Sequence, residues 1–410
     1  MTRILFACFL GFLAAGCAMS LGPRDAADLD PRFTLGDGGV SDFYTFSDEI
    51  PAPGQLLRQE TLNAEQRVPN AAKAIRLLYS SSDGLAGTGA LVVSGALFFP
   101  EGEPPEGGWP LLLWSHGTVG IADKCAPTWT GYVPFHDEHL SEWLNEGYAI
   151  VASDYQGLGT KGTHPYLATR PAAYSNLDVI RAVQSADFPV SDHVVLAGQS
   201  QGAGAAIATA GYAPTYAPEI DIRAVIATGV PFFTPDALLA VQAARPNDVV
   251  DPMLGYNFLA LTLIEQIDPN FAVEDYVSEQ ALPLARAVTE ICNRDMRAKI
   301  TEAGLTYDKT FTTAPTEPLR QAFERMQFPS LQLSVPVFVG VGSDDRDTPP
   351  RMQSGFVKAA CAAGSAIEAH LFDGFDHLTV LNHSQTKSKA FASAAFSGDT
   401  IAGNCDALPF

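Results

Sequence analysis

Apolar positions change their spacing along the chain. Near residues 74–100, Ile75-Arg76-Leu77-Leu78-Tyr79 and the run Ala90–Phe99 are rich in strand-favouring residues and are joined through Ser81-Ser82-Asp83-Gly84, which predicts antiparallel strands. Beyond residue 100, short unbroken apolar runs take over: Pro110–Trp114, Ala149–Ala152, Val194–Ala197, Ala224–Ala227 and Val337–Val341. Continuous hydrophobicity over so few residues is expected of parallel strands covered on both faces. Glu138–Glu146, Tyr174–Ala186 and Gln201–Tyr212 have helical spacing and complete βαβ units, whose right-handed crossovers wind one open sheet. The fold class expected is α/β, a mostly parallel central sheet with helices on both faces.

The alternation lapses over residues 231–330, where Asp236–Ala244, Leu259–Ile267, Glu279–Thr301 and Glu317–Met326 read as helices. This predicts an inserted helical cap dividing a core of residues 18–230 and 331–410. Ligands of open α/β sheets bind at the carboxyl ends of the strands, and a cap there would exclude water. Residues 20–55 are rich in Asp, Gly and Pro and read as a loose lead-in.

The N-terminus carries Arg3 and then the apolar run Ile4–Ala15, too short to span a bilayer but suited to export, so residues 1–17 read as a signal peptide. Ala14-Ala15-Gly16-Cys17 resembles a lipoprotein cleavage site with Cys17 as the lipidated residue, although the usual Leu stands one position early, at Leu13. An ordinary secretory signal is the competing reading. The expected location is the periplasm or an outer-membrane anchor, otherwise secretion, with membrane contact only through that lipid.

At 410 residues and 47% hydrophobic, the chain can bury a large core. A formal charge of -21 argues against nucleic acid, which is bound through clustered Lys and Arg. With Cys8 in the leader and Cys17 set aside, Cys125, Cys292, Cys361 and Cys405 form an even set in a chain bound for an oxidising compartment. Of the three pairings open to them, Cys125 with Cys292 and Cys361 with Cys405 is preferred, since the second would pin the C-terminal tail. Metal-ligand spacing is missing among these cysteines, so no zinc site is expected.

After the strand ending at Ala197 comes Gly198-Gln199-Ser200-Gln201-Gly202 and a small-residue helix. The strand, turn and helix order is that of a nucleophile elbow, with Gly198 and Gly202 leaving room where a Cβ would collide. A serine hydroxyl needs a base within reach and a carboxylate to orient that base. Following Val337–Val341, the acidic turn Ser343-Asp344-Asp345-Arg346-Asp347 offers Asp345, with Asp344 and Asp347 as lesser candidates. The strand Ala366–Phe372 then ends in Asp373-Gly374-Phe375-Asp376-His377, which puts His377 at the sheet edge ahead of His370 and His383. A developing oxyanion would need the amide of Gln201 and a second donor. Ser115-His116-Gly117-Thr118 supplies one, the amide of Thr118 with Gly117 behind it, while His116 buttresses the loop. Phe232, Phe233, Met253, Leu254, Tyr256 and Phe258 are candidates for an apolar pocket.

Four stretches resemble the secretory lipase group of the α/β-hydrolases: Ser115-His116-Gly117-Thr118 with Cys125-Ala126-Pro127, Asp154-Tyr155-Gln156-Gly157-Leu158-Gly159 with His164-Pro165-Tyr166, the elbow, and Gly374-Phe375-Asp376-His377. The resemblance implies an α/β-hydrolase fold, a Ser-Asp-His triad, two disulfides and carboxylic ester substrates, small-molecule or lipid, bound beneath the cap. It extends little into the cap, so acyl preference does not carry over. The expected chemistry, ester hydrolysis through an acyl-enzyme on Ser200, requires no metal or organic cofactor. A peptidase or amidase of the same fold and a catalytically silent binding protein are the rival readings.

Overall fold

The computed structural model describes residues 39–234 and 246–410. The expected signal peptide, Cys17, most of the lead-in and the helix expected over Asp236–Ala244 lie outside these residues. A nine-stranded sheet runs in the order β1-β2-β3-β5-β4-β6-β7-β8-β9. Its strands are β1 (Leu56–Thr61), β2 (Lys73–Ser82), β3 (Ala90–Phe99), β4 (Trp109–Ser115), β5 (Ala149–Ser153), β6 (Val190–Gln199), β7 (Asp221–Thr228), β8 (Val337–Gly342) and β9 (Ile367–Phe372). Pairings from β1 through β3 to β5 are antiparallel, and all the others are parallel. β1 was not visible in the apolar pattern because it is an edge strand with mostly exposed residues.

The longer helices are α1 (Pro134–Asn145), α2 (Thr169–Ser185), α3 (Gln201–Tyr216), α4 (Leu254–Ile267), α5 (Asn293–Glu302), α6 (Thr316–Arg325), α7 (Pro350–Ala362) and α8 (Gln385–Phe396). Period-two alternation in the central strands feeds two separate cores. Leu111, Leu113, Val194 and Leu196 pack with α2, α3 and α7, whereas Leu112, Trp114, Val195 and Ala197 pack with α1 and α8. The continuous apolar runs thus reflect helices on both faces.

Between β7 and β8 the described residues form helices and two isolated bridges, with a third apolar cluster that reaches Ile121, Tyr166 and Ala168 of the core. The single helix expected over Glu279–Thr301 is broken in the structure. A short helix Leu282–Arg286 and a 3-10 turn precede Cys292, whose extended backbone interrupts the coil before α5 begins. Cys292 is disulfide-bonded to Cys125, joining the inserted helices to the loop after β4, and the amide of Asn293 donates to Val119 O at 2.8 Å. That tertiary tie has no signal in helical periodicity.

The second disulfide joins Cys361 of α7 to Cys405. Beside it, Asn404 exchanges side-chain hydrogen bonds of 2.8 Å with both backbone groups of Ala369, so the tail covers the outer edge of β9. Both pairings are those preferred from the sequence.

Each bridge restricts the unfolded chain, the first across a separation of 167 residues. The double variant Cys125→Ser/Cys292→Ser is expected to lose about 2–5 kcal/mol of unfolding free energy, read from urea titration. An unchanged midpoint would contradict this.

Candidate active site

β6 ends at Gln199 and α3 begins at Gln201, so Ser200 alone makes the turn. Its φ of 59° and ψ of -124° are sparsely populated for an L residue, and such strain persists only where surrounding structure enforces it. Part of that enforcement is the Ser200 amide, which donates to Thr228 O of β7 at 2.9 Å. The rest is close packing. A Cβ on Gly198 would lie 2.1 Å from Gly202 O, and one on Gly202 would lie 1.8 Å from Ser115 O. Glycine at both positions lets α3 press onto the ends of β4 and β6, where the strand order reverses direction.

The loop after β8 places Asp345 against His377 from the loop after β9. His377 Nδ1 lies 2.8 Å from Asp345 Oδ2, and both side chains are buried. Asp345 Oδ1 accepts the amides of Asp347 (3.0 Å) and Thr348 (2.8 Å), an Asx-type turn that ends at Pro349 and Pro350 and starts α7. Its Oδ2 also accepts the Thr348 hydroxyl and Gln353 Nε2, each at 2.9 Å. The neighbouring acids are elsewhere: Asp344 is exposed, and Asp347 pairs with Arg297 and with the Tyr256 hydroxyl. His370 sits in β9 against Glu368, and His383 stacks on Phe375.

Ser200 and His377 are linked through their neighbours. Gln199 Nε2 donates to the His377 carbonyl at 3.0 Å. Gly229, next to the Thr228 that holds the Ser200 amide, lies against the imidazole: a Cβ there would be 2.7 Å from His377 Cε1. Gly229 has a φ of 65°, so it serves both a left-handed turn and the room needed by the ring.

Thr118 and Gln201 line one cavity with Ser200 and Thr348. Behind them is a stack of rings. His116 packs on Tyr155 with centroids 4.3 Å apart, and Tyr155 faces His164 at 5.8 Å. The Tyr155 hydroxyl donates to His116 O at 3.0 Å, fixing the start of the Gly117-Thr118 loop. His164 Nδ1 faces the carbonyl of Gln156 at 2.9 Å and therefore carries the proton, leaving Nε2 to accept from the Gln201 side chain at 2.9 Å. Burial pushes the pKa of His164 down to about 4 and those of His136 and His139 on α1 down to about 3.

The cavity has a volume of about 240 Å3 and is mainly apolar, with Phe233, Met253, Leu319, Phe323, Met326 and Met352 in its walls. Of the six apolar candidates from the sequence, Phe233, Met253 and Tyr256 line it. Leu254 and Phe258 are instead buried among the inserted helices, and Phe232 stacks on Phe328 and meets Phe356 edge to face. The three outliers differ from the others only in which way their helix or loop turns them.

With this geometry stand three comparisons. The family model for secretory lipase matches residues 126–404. The chain belongs to the secretory lipase family. As a member it is a carboxylic ester hydrolase, and the family and the two disulfides mark it as exported. Lipase A of Moesziomyces aphidis is 22% identical over 97% of this chain and 88% of its own length. The crystal structure of Candida antarctica lipase A superposes with a TM-score of 0.71 at 20% identity, covering 92% of this chain and 88% of that one. A rice cell wall degrading esterase, LipA from Xanthomonas oryzae, superposes with a TM-score of 0.67 at 21% identity, covering 85% and 98%. These similarities share the α/β-hydrolase fold expected from the motifs. Among the described residues, no helix is long and apolar enough to cross a membrane, and no cluster of His, Cys, Asp or Glu is arranged to hold a metal ion.

Sequence reasoning missed Gly229, Gln199, Thr348 and Gln353. Only Thr348 had a local signal, since Asp-x-x-Thr ahead of Pro-Pro is the pattern of an Asx turn that opens a helix. Gly229→Ala would press on the His377 ring and also strain the left-handed backbone, so this variant is expected to fold with a lowered melting temperature and to lose ester hydrolysis by on the order of 10–100-fold. Wild-type turnover would show the ring has room to spare.

The buried histidines also set an acid response. Their folded pKa values lie below the unfolded value of about 6.5, so the unfolded chain takes up protons that the native chain refuses. Their contribution to stability is intact above that value and declines as pH falls, by up to about 1.4 kcal/mol per pH unit for each histidine. Half-buried Asp137, raised to about 6 by burial, acts in the opposite sense. His136 Nε2 has no hydrogen-bond partner, and Phe keeps the bulk of the ring while giving up the bond that His136 shares with the Gln199 side chain. Urea unfolding at pH 7 and pH 5 is expected to show a shallower loss in His136→Phe than in wild type, and equal slopes would refute this account.

Proposed function

We propose that Ser200, Asp345 and His377 form a catalytic triad that hydrolyses esters through an acyl-enzyme. The observation that carries this reading is the His377–Asp345 hydrogen bond of 2.8 Å beside a strained serine on the floor of an apolar cavity. With Nδ1 committed to Asp345, His377 Nε2 is the nitrogen free to take the Ser200 proton. The Ser200 oxygen attacks the ester carbonyl carbon, and the oxyanion is held by the amides of Gln201 and Thr118. The carbon–oxygen bond to the alcohol then breaks, and His377 returns its proton to the leaving alkoxide. Water, deprotonated by His377, attacks the acyl-enzyme and releases the carboxylic acid, restoring Ser200.

Residues 231–330 act as a cap in this reading, and its apolar walls take the acyl portion. Residues 1–17 direct export, with Cys17 as a lipid-anchored first residue of the mature chain; loss of metabolic palmitate labelling in Cys17→Ala would support the anchor, and unchanged labelling would reject it.

Ser200→Ala is expected to lower kcat on a chromogenic short-chain ester by on the order of 10³-fold or more without changing the melting temperature. Wild-type protein is expected to react with a fluorophosphonate probe and the variant to be inert. Retained turnover in the folded variant sinks the assignment.

A further inference from the structure

We infer that Gln353 is a positioning residue that sets which oxygen of Asp345 faces His377 and how much charge that oxygen carries. The inference rests on the triad proposed above.

Gln353 lies one turn into α7, fully buried, and touches neither Ser200 nor the imidazole within the hydrogen bonds of the site. Its amide orientation is decided by its surroundings. The Val230 amide, a donor, lies 3.3 Å from Oε1, so Nε2 must point the other way. There it meets two acceptors, Asp345 Oδ2 at 2.9 Å and the Thr348 carbonyl at 2.6 Å. One side chain therefore ties the residue following Gly229, against which His377 packs, to the carboxylate that His377 bonds.

The consequence is a fully occupied carboxylate. Two backbone amides satisfy Oδ1, while the Thr348 hydroxyl, Gln353 Nε2 and His377 Nδ1 converge on Oδ2. Without Gln353, Oδ2 loses a donor in a site where water does not readily replace it, and the carboxylate gains freedom to rotate. Its charge is also less dispersed. A more concentrated negative charge beside the imidazole favours the protonated ring. Among the described residues, Asp376 beside it and His136 from α1 also face His377, and Gln353 bonds neither. A side chain that merely filled space in α7 would leave the pH profile of hydrolysis where it is.

The test uses Gln353→Met, which keeps length and volume but cannot donate, and Gln353→Asn, which keeps the amide but pulls it back by one methylene. Melting temperature and circular dichroism identify the folded variants, with Asn serving if Met does not fold. Steady-state ester hydrolysis is measured from pH 5 to 9, with Ser200→Ala alongside. Expected for Gln353→Met are a kcat lower by on the order of 10–100-fold, KM within about twofold, and the acid limb of the kcat/KM profile displaced to higher pH by about half a unit or more; Gln353→Asn should fall between it and wild type. Folded variants with wild-type kcat, or with reduced kcat and an unmoved acid limb, overturn the inference. Activity surviving in Ser200→Ala overturns the triad instead, so the two failures are distinguishable.

Discussion

The site depends on how closely α3 can approach the end of β4. Gly202 lies so near Ser115 that any side chain would have to occupy the Ser115 carbonyl, and Gly198 is equally close to the first turn of α3. That contact drives Ser200 into a backbone conformation it would not choose, held by the Thr228 carbonyl. The same contact sets the loop from His116 to Thr118 beside the elbow. Loosening it would move the serine and the neighbouring amides together.

Around this point the protein uses buried polar groups as spacers. His116, Tyr155 and His164 form a stack that runs from the Gly117-Thr118 loop to Gln201. Under the stack, Asp154 takes the Ser94 hydroxyl at 2.6 Å together with the amide and hydroxyl of Thr128. On the other side of the cavity, Asp345 is saturated by its own turn and by Gln353. Burial makes these bonds strong and directional, at the cost of histidines whose pKa values it pushes down. Rigidity at neutral pH and acid sensitivity come from one arrangement.

The inserted helices meet this frame through the apolar cluster at Ile121, Tyr166 and Ala168 and through polar ties. The Cys125–Cys292 bond, the Asn293–Val119 hydrogen bond and the Arg297–Asp347 ion pair attach them to the loops after β4 and β8. Asp347 also gives its amide to Asp345, so the same residue meets the insertion and the carboxylate that bonds His377.

The central strands could be read from sequence alone because each is an apolar run sandwiched between helices, and burial on both faces is a local property of composition. The elbow could be read because glycine, serine and glycine at that spacing, between strand and helix, satisfy a steric demand contained in five residues. Asp345 and His377, which hydrogen-bond to each other in the fold, were singled out by their strand-end positions and by the order in which the chain visits the sheet. Tertiary structure decided the rest: β1 exists only because β2 offers it a partner, the helix expected over Glu279–Thr301 breaks where Cys292 reaches Cys125, and Phe232, Leu254 and Phe258 turn into core and not cavity. Gly229 and Gln353 acquire their roles from side chains more than a hundred residues away and eight residues away, respectively, across a turn whose path depends on the whole sheet. Local sequence determines which groups can react and where the chain must bend; only the folded packing determines which atoms stand at hydrogen-bond distance, because that distance is summed over every element between them.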